Sequence, residues 1–308
     1  MGLVVFILGN SGTGKSYSMR NFNPDELVII NVQGKILPFR NSAKYTVKNT
    51  DTSDEIISSM KLADASGKKV IVIDDFQYLM ANEFMRRSAE RGFDKFTEIA
   101  RHAWDVVDAV KTLSADTIVY IMCHSNVDDG GIERLKTIGK LLDEKIVLEG
   151  MSTIVLKTNV SDSNYTFTTQ NNGKDTVKSP AEMFTSLNIQ NDLKYVDEKI
   201  RNYYGFGSCK TDEEMKTMDE EKEVVVEQPT TRRRRRTAET PEASLPVGEI
   251  PEAKTDVNDI TADIGSDLPF DASVFDAVPV TENQITPNKR RRRRNIEMWG
   301  NELWVMMM

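Results

Sequence analysis

A chain of 308 residues is long enough for one large domain with a tail, or for two small domains. Only 39% of it is hydrophobic, so part of the length falls outside any core, and the net charge of −8 is unevenly placed. The apolar runs are no longer than strands, which argues against a membrane span, and two distant cysteines, Cys123 and Cys209, show neither a disulfide framework nor metal-ligand spacing. They read as reduced thiols of a cytosolic compartment. Met1-Gly2-Leu3 runs directly into a strand pattern, so no cleaved signal peptide is expected.

The first strand is Leu3-Val4-Val5-Phe6-Ile7-Leu8, and Gly9-Asn10-Ser11-Gly12-Thr13-Gly14-Lys15-Ser16 follows it. The spacing G-x-x-x-x-G-K-[ST] after a buried strand and before a helix is that of a phosphate-binding loop. Its glycines permit backbone angles that turn successive N–H groups toward phosphate oxygens. Lys15 supplies an ammonium for the β- and γ-phosphates, and Ser16 supplies a hydroxyl ligand for Mg²⁺. Residues Gly9 to Ser16, with Tyr17, are therefore the expected ATP-binding segment. A helix opening over Lys15 to Arg20 would add its positive end.

Leu27 to Val32 reads as a second strand after the Asn23-Pro24-Asp25 turn, and Ala43 to Val47 as a short third. Ser53 to Ala63 places Ile56, Ile57, Met60 and Ala63 on one helical face, with Ser53 or Asp54 as cap. Val70-Ile71-Val72-Ile73 has the unbroken apolar character of a strand buried on both faces. It ends in Asp74-Asp75. Asp74 is placed to hold Mg²⁺, and Asp75 either polarises the attacking water or caps the following turn.

Glu83 to Leu113 reads as one long or broken helix. The strand Thr117 to Met122 then ends in Cys123-His124-Ser125-Asn126. Ligands of parallel sheets lie beyond the carboxyl ends of the strands, so His124 or Asn126 is a candidate sensor of the γ-phosphate. Lys136 and Lys140, on a glycine-containing segment, are candidate charge-stabilising fingers, with a solvated basic loop as the alternative. Thr153 to Lys157 and Tyr165 to Thr169 pair as an antiparallel hairpin, and a helix over Asn191 to Tyr204 closes the domain. Residues 1–207 thus form an α/β P-loop ATPase domain with a mostly parallel sheet flanked by helices.

Residues 208–295 are acidic, proline-bearing and without period, and are expected to be disordered. They carry two basic runs, Arg232 to Arg236 and Lys289 to Arg294. Adjacent guanidiniums suit sequence-independent contact with nucleic-acid phosphates. The apolar tip 296–308, with Trp299 and Trp304, resembles a docking motif for a protein partner.

The phosphate loop at 9–16, the buried acid at 70–75, the polar strand end at 123–126 and the lysines at 136–140 together resemble the RecA-like phage ATPases of single-strand annealing and recombination, within the wider AAA/P-loop group. The resemblance covers about residues 1–185. It implies Mg-dependent ATP hydrolysis coupled to single-stranded DNA, in a homo-oligomer, in the cytoplasm of an infected bacterial cell. One departure bears on turnover. The family's usual glutamate after the second strand is matched here by Gln33, in Ile30-Asn31-Val32-Gln33-Gly34-Lys35. A neutral amide positions water but takes no proton, so either Asp75 replaces it or hydrolysis is slow. The alternative function is a nucleotide-dependent adaptor of low turnover that docks a protein partner through its tip.

Overall fold

A computed structural model describes residues 1–223. The two arginine runs, the apolar tip and most of the expected disordered segment lie outside the described residues.

The strands are β1 (Leu3–Leu8), β2 (Leu27–Asn31), β3 (Thr46–Asn49), β4 (Val70–Asp74), β5 (Ile118–Cys123), β6 (Ser125–Val127), β7 (Glu133–Leu135), β8 (Ile154–Ser161), β9 (Asn164–Thr168) and β10 (Asn188–Gln190). The helices are α1 (Ser53–Ala65), α2 (Gln77–Arg86), α3 (Asp94–Ala109), α4 (Leu193–Tyr204) and α5 (Asp212–Lys222). Eight strands form one sheet in the order β10-β9-β8-β1-β5-β4-β2-β3, and β6 and β7 form a separate ribbon. Pairing is parallel from β8 to β3, while β9 and β10 add antiparallel at one edge. β5 lies between β1 and β4, which is the RecA-like arrangement of a P-loop sheet.

Alternation along the strands divides the core in two. Phe6, Leu8, Ile30, Ile71, Ile73 and Ile121 face one way, in a cluster with Ile56 and Met60 of α1, Leu79 of α2 and Ile99 and Val106 of α3. Val5, Ile7, Ile29, Val72, Tyr120 and Met122 face the other, in a cluster with Met19, Val196 of α4 and Met215 of α5. Both faces of the central strands are therefore dry. Such strands need continuous Val and Ile, which is how β1, β4 and β5 read.

Several boundaries differ from the sequence expectation. The helix expected at Lys15 to Arg20 is a single 3₁₀ stretch, Ser16–Asn21, because Phe22 turns extended ahead of Asn23-Pro24. The third strand starts at Thr46, after a 3₁₀ turn at Ser42–Lys44. Thr52 occupies the N-cap position of α1, without a side-chain hydrogen bond, in place of Ser53 or Asp54. The long helix is broken into α2 and α3 by a connection in which Gly92 takes φ +95°. The β8–β9 hairpin turns on Asp162 and Ser163, both at positive φ, the geometry of a two-residue turn that matches strand twist.

The largest correction concerns the expected disordered segment, which the domain folds into at its start. Thr211 and Glu214 form a reciprocal capping box at the N-terminus of α5. Met215 is buried, and Asp219 accepts hydrogen bonds from Tyr195 Oη and Lys199 Nζ of α4. These few contacts anchor a helix whose composition is otherwise that of a solvated tail.

Candidate functional site

The phosphate loop leaves the end of β1 and closes over it through glycine geometry. Gly9, Gly12 and Gly14 take φ of +152°, +82° and +97°, where side-chain-bearing residues are strained. A Cβ at Gly9 would also collide with the Thr158 hydroxyl, and one at Gly14 would lie 2.8 Å from the Tyr165 ring. Thr13 Oγ1 donates to the carbonyl of Asn10 at 2.8 Å and shares a hydrogen bond with Thr158 Oγ1 at 2.6 Å, fastening the loop to β8.

Lys15 is 6% exposed and curls back inside the loop, donating to the carbonyls of Gly9 at 2.7 Å and Asn10 at 2.9 Å. Burial lowers its pKa, against the pull of Asp75 and Asp74. Ser16 Oγ donates to Asp74 Oδ1 at 2.9 Å. Asp74 is nearly fully buried at the end of β4, and desolvation, aided by the neighbouring Asp75 charge, pushes its pKa up to about 6. The site therefore pairs a hydroxyl oxygen with a carboxylate that ionises only at a cost, which a bound cation would remove.

Asp75 stands at φ +60°, an uncommon conformation for a residue other than glycine, and that bend turns it away from the strand. Its Oδ2 accepts from Lys35 Nζ at 2.7 Å, and its Oδ1 lies 3.4 Å from His124 Nε2. Burial opposes ionisation, yet the His124 and Lys35 contacts outweigh it and bring the pKa down to about 2. His124 is held in turn through its backbone N–H, which donates to Gln77 Oε1 at 2.7 Å. Its ring meets Tyr78 edge-on, 6.2 Å between centroids.

These groups share a cavity of about 510 Å³. Ser11, Gly12, Gly14, Lys15, Ser16 and Tyr17 line it from the loop side, and Asp74, Asp75 and His124 from the strand ends. Gly9, Asn10 and Thr13 shape the loop from behind through the bonds just given. Four expected residues lie elsewhere. Gln33 Nε2 reaches Asn82 Oδ1 on α2 at 3.4 Å, outside the cavity lining, so the strand-end amide is not where a water-positioning group belongs. Asn126 is exposed on β6, paired with Arg134 of β7. Lys140 is exposed, 4.0 Å from Glu144, and Lys136 is exposed as well. The backbone N–H of Lys136 donates to the carbonyl of His124 at 2.9 Å, yet none of these three side chains lines the cavity.

Lys35, the stretch Ile36-Leu37-Pro38 and Tyr165 complete the lining and were not anticipated. Lys35 arrives because Asn31 Nδ2 donates to its carbonyl at 2.7 Å, curling the chain just past β2. Tyr165 arrives with the hairpin, its ring centroid 5.7 Å from that of Tyr17. A lysine following Gly34 was the available signal for the first; nothing in the sequence marks the second.

The residues fit Mg²⁺ and a nucleotide. Two hard oxygens at 2.9 Å suit an ion that keeps waters and takes further ligands from phosphate, and among the described residues no cluster of three or more His, Cys, Asp or Glu forms a cage of its own. Among the described residues, no helix is long and apolar enough to cross a membrane.

No family model and no curated protein matches the chain. Among solved structures it matches a KaiC-like protein of the hyperthermophilic archaeon Pyrococcus horikoshii, with 8% identity and a TM-score of 0.38 over 61% of this chain and 84% of that one. Strand order and loop geometry define the class without that likeness: a P-loop nucleotide-binding fold with a RecA-like sheet.

Proposed function

We propose that the protein binds Mg-ATP in this cavity and hydrolyses it slowly, in the service of single-stranded DNA during recombination or replication in an infected bacterial cell. The observation that carries the nucleotide half is the contact between Ser16 and Asp74, which joins the phosphate loop to the strand-end acid at hydrogen-bond distance. Ser16 and Asp74 would hold the metal, whose charge offsets that of the phosphate oxygens. Lys15 exchanges the two loop carbonyls for phosphate oxygens, and the amides around Gly12 and Gly14 face the same anion. Asp75 is the carboxylate placed to orient a water. A carboxylate with a pKa of about 2 is a weak base, which supports slow turnover.

The DNA half rests on the two basic runs, Arg232 to Arg236 and Lys289 to Arg294, and on the family resemblance. Assembly into a homo-oligomer rests on that resemblance alone. ATP turnover by the full chain, with and without single-stranded DNA at low and high salt, tests both halves together. Stimulation that fades with salt supports the reading; neither binding nor stimulation at low salt sinks it.

The engagement of Asp75 by both Lys35 and His124 favours one second reading, a nucleotide-dependent adaptor of low turnover. Deleting 296–308 separates the two, since an adaptor loses its protein partner while a DNA-dependent ATPase keeps its chemistry.

A further inference from the structure

The cavity holds two lysines in different states. Lys15 is buried and bonded to the loop's own carbonyls. Lys35 enters from the carboxyl ends of β2 and β4, and its side chain is 59% exposed. Its ammonium touches Asp75 at 2.7 Å and stands 5.2 Å from the Tyr78 ring centroid. The backbone beneath it is pinned by Asn31, whereas the next residue, Ile36, is almost wholly exposed on the cavity rim. Lys35 is thus a long stem on a fixed base, and its carboxylate partner is exchangeable. Asp75 has a second partner ready in His124.

Resting on the nucleotide-site reading above, we propose that Lys35 is the residue that distinguishes a nucleoside triphosphate from a diphosphate. The loop amides and Lys15 approach from the end of β1 and serve a phosphate of either ligand. Lys35 approaches from the far strands, beside Asp75 and His124, where only a third phosphate extends. A terminal phosphate offers three anionic oxygens against the single carboxylate oxygen that Lys35 now holds, so it draws the ammonium away. Asp75 then keeps His124 alone and is free to meet water. One lysine thereby links the presence of the third phosphate to release of the carboxylate, and the exposed residues 34–36 around it feel the exchange.

Calorimetry on the full chain with Mg²⁺ tests this, using ADP and a non-hydrolysable ATP analogue as probes. Lys35→Ala is expected to lose roughly 10- to 100-fold in affinity for the analogue, the worth of a hydrogen bond to a charged group, while ADP affinity holds within about twofold. Lys35→Arg retains most of the triphosphate preference. In the wild type, hydrogen exchange over residues 33–38 responds to the analogue and not to ADP. Equal losses for both nucleotides, an unchanged preference in Lys35→Ala, or the same exchange response to both ligands overturns the proposal. A wild-type protein that binds neither nucleotide overturns the site reading itself. Lys15→Ala, expected to weaken both ligands together, tells that failure from the first.

Discussion

Ser16 Oγ and Asp74 Oδ1 stand 2.9 Å apart although 58 residues separate them in the chain. β1 and β4 are not neighbours, since β5 runs between them, so the contact bridges a full strand spacing across the top of the sheet. The hydrogen bond eases the burial of Asp74 without cancelling it, because the pKa still stands at about 6.

The pH dependence of stability follows from that value. The folded pKa exceeds the ordinary carboxylate value of 3.8, so the native state binds the proton more tightly than the unfolded chain between about pH 4 and 6. Stability from this group therefore falls as pH rises through that window and stays low above it. Asp74→Asn is expected to stabilise the nucleotide-free protein by about 2 to 3 kcal/mol at pH 7.5, and not at pH 3.5. Urea titrations of both proteins at the two pH values check the difference. The same variant is expected to lose Mg²⁺-dependent nucleotide binding.

Gly9→Ala removes the loop's shape instead of its charge. The added methyl meets Thr158 at a φ that disfavours it, so the phosphate loop and β8 must part. Loss of the thermal stabilisation given by Mg-ATP is expected in Gly9→Ala and in Lys15→Ala alike. Only Gly9→Ala should also lower the melting temperature of the free protein markedly, since the Lys15 ammonium is itself buried at a desolvation cost.

Asp75→Asn keeps a side chain that tolerates positive φ and removes the negative charge. Nucleotide affinity is expected to persist while turnover drops by roughly 10²-fold or more. A single-turnover assay at saturating ATP measures it, and an unchanged rate would transfer the water-orienting role to another group.

α5 is expected to be part of the folded unit. Asp219→Ala leaves Lys199 buried without its carboxylate and Tyr195 without its acceptor, a cost of about 3 to 5 kcal/mol. Truncation at residue 207 should lower the melting temperature comparably, whereas truncation after 223 should leave it and Mg-ATP binding unchanged. Differential scanning calorimetry of the three proteins decides where the domain ends.

Parts of this protein whose signal is local are legible along the chain. The loop at 9–16 announces itself through fixed spacing, and β1, β4 and β5 through unbroken runs of Val and Ile that only a doubly covered strand can bury. Asp74 and Asp75 follow as the first polar residues after such a run. What the tertiary structure alone decided depends on chain reversals and distant contacts. Lys35 reaches the cavity and Gln33 does not, because one hydrogen bond from Asn31 sets the curl after β2. Tyr165 enters on a hairpin whose turn is Asp-Ser, and α5 joins the domain through Asp219 and Met215, contacts that no periodicity reports. Local composition records which surfaces must be buried; which polar groups then face one another across the sheet is fixed only when the strands are ordered, and the site's chemistry lives in that second layer.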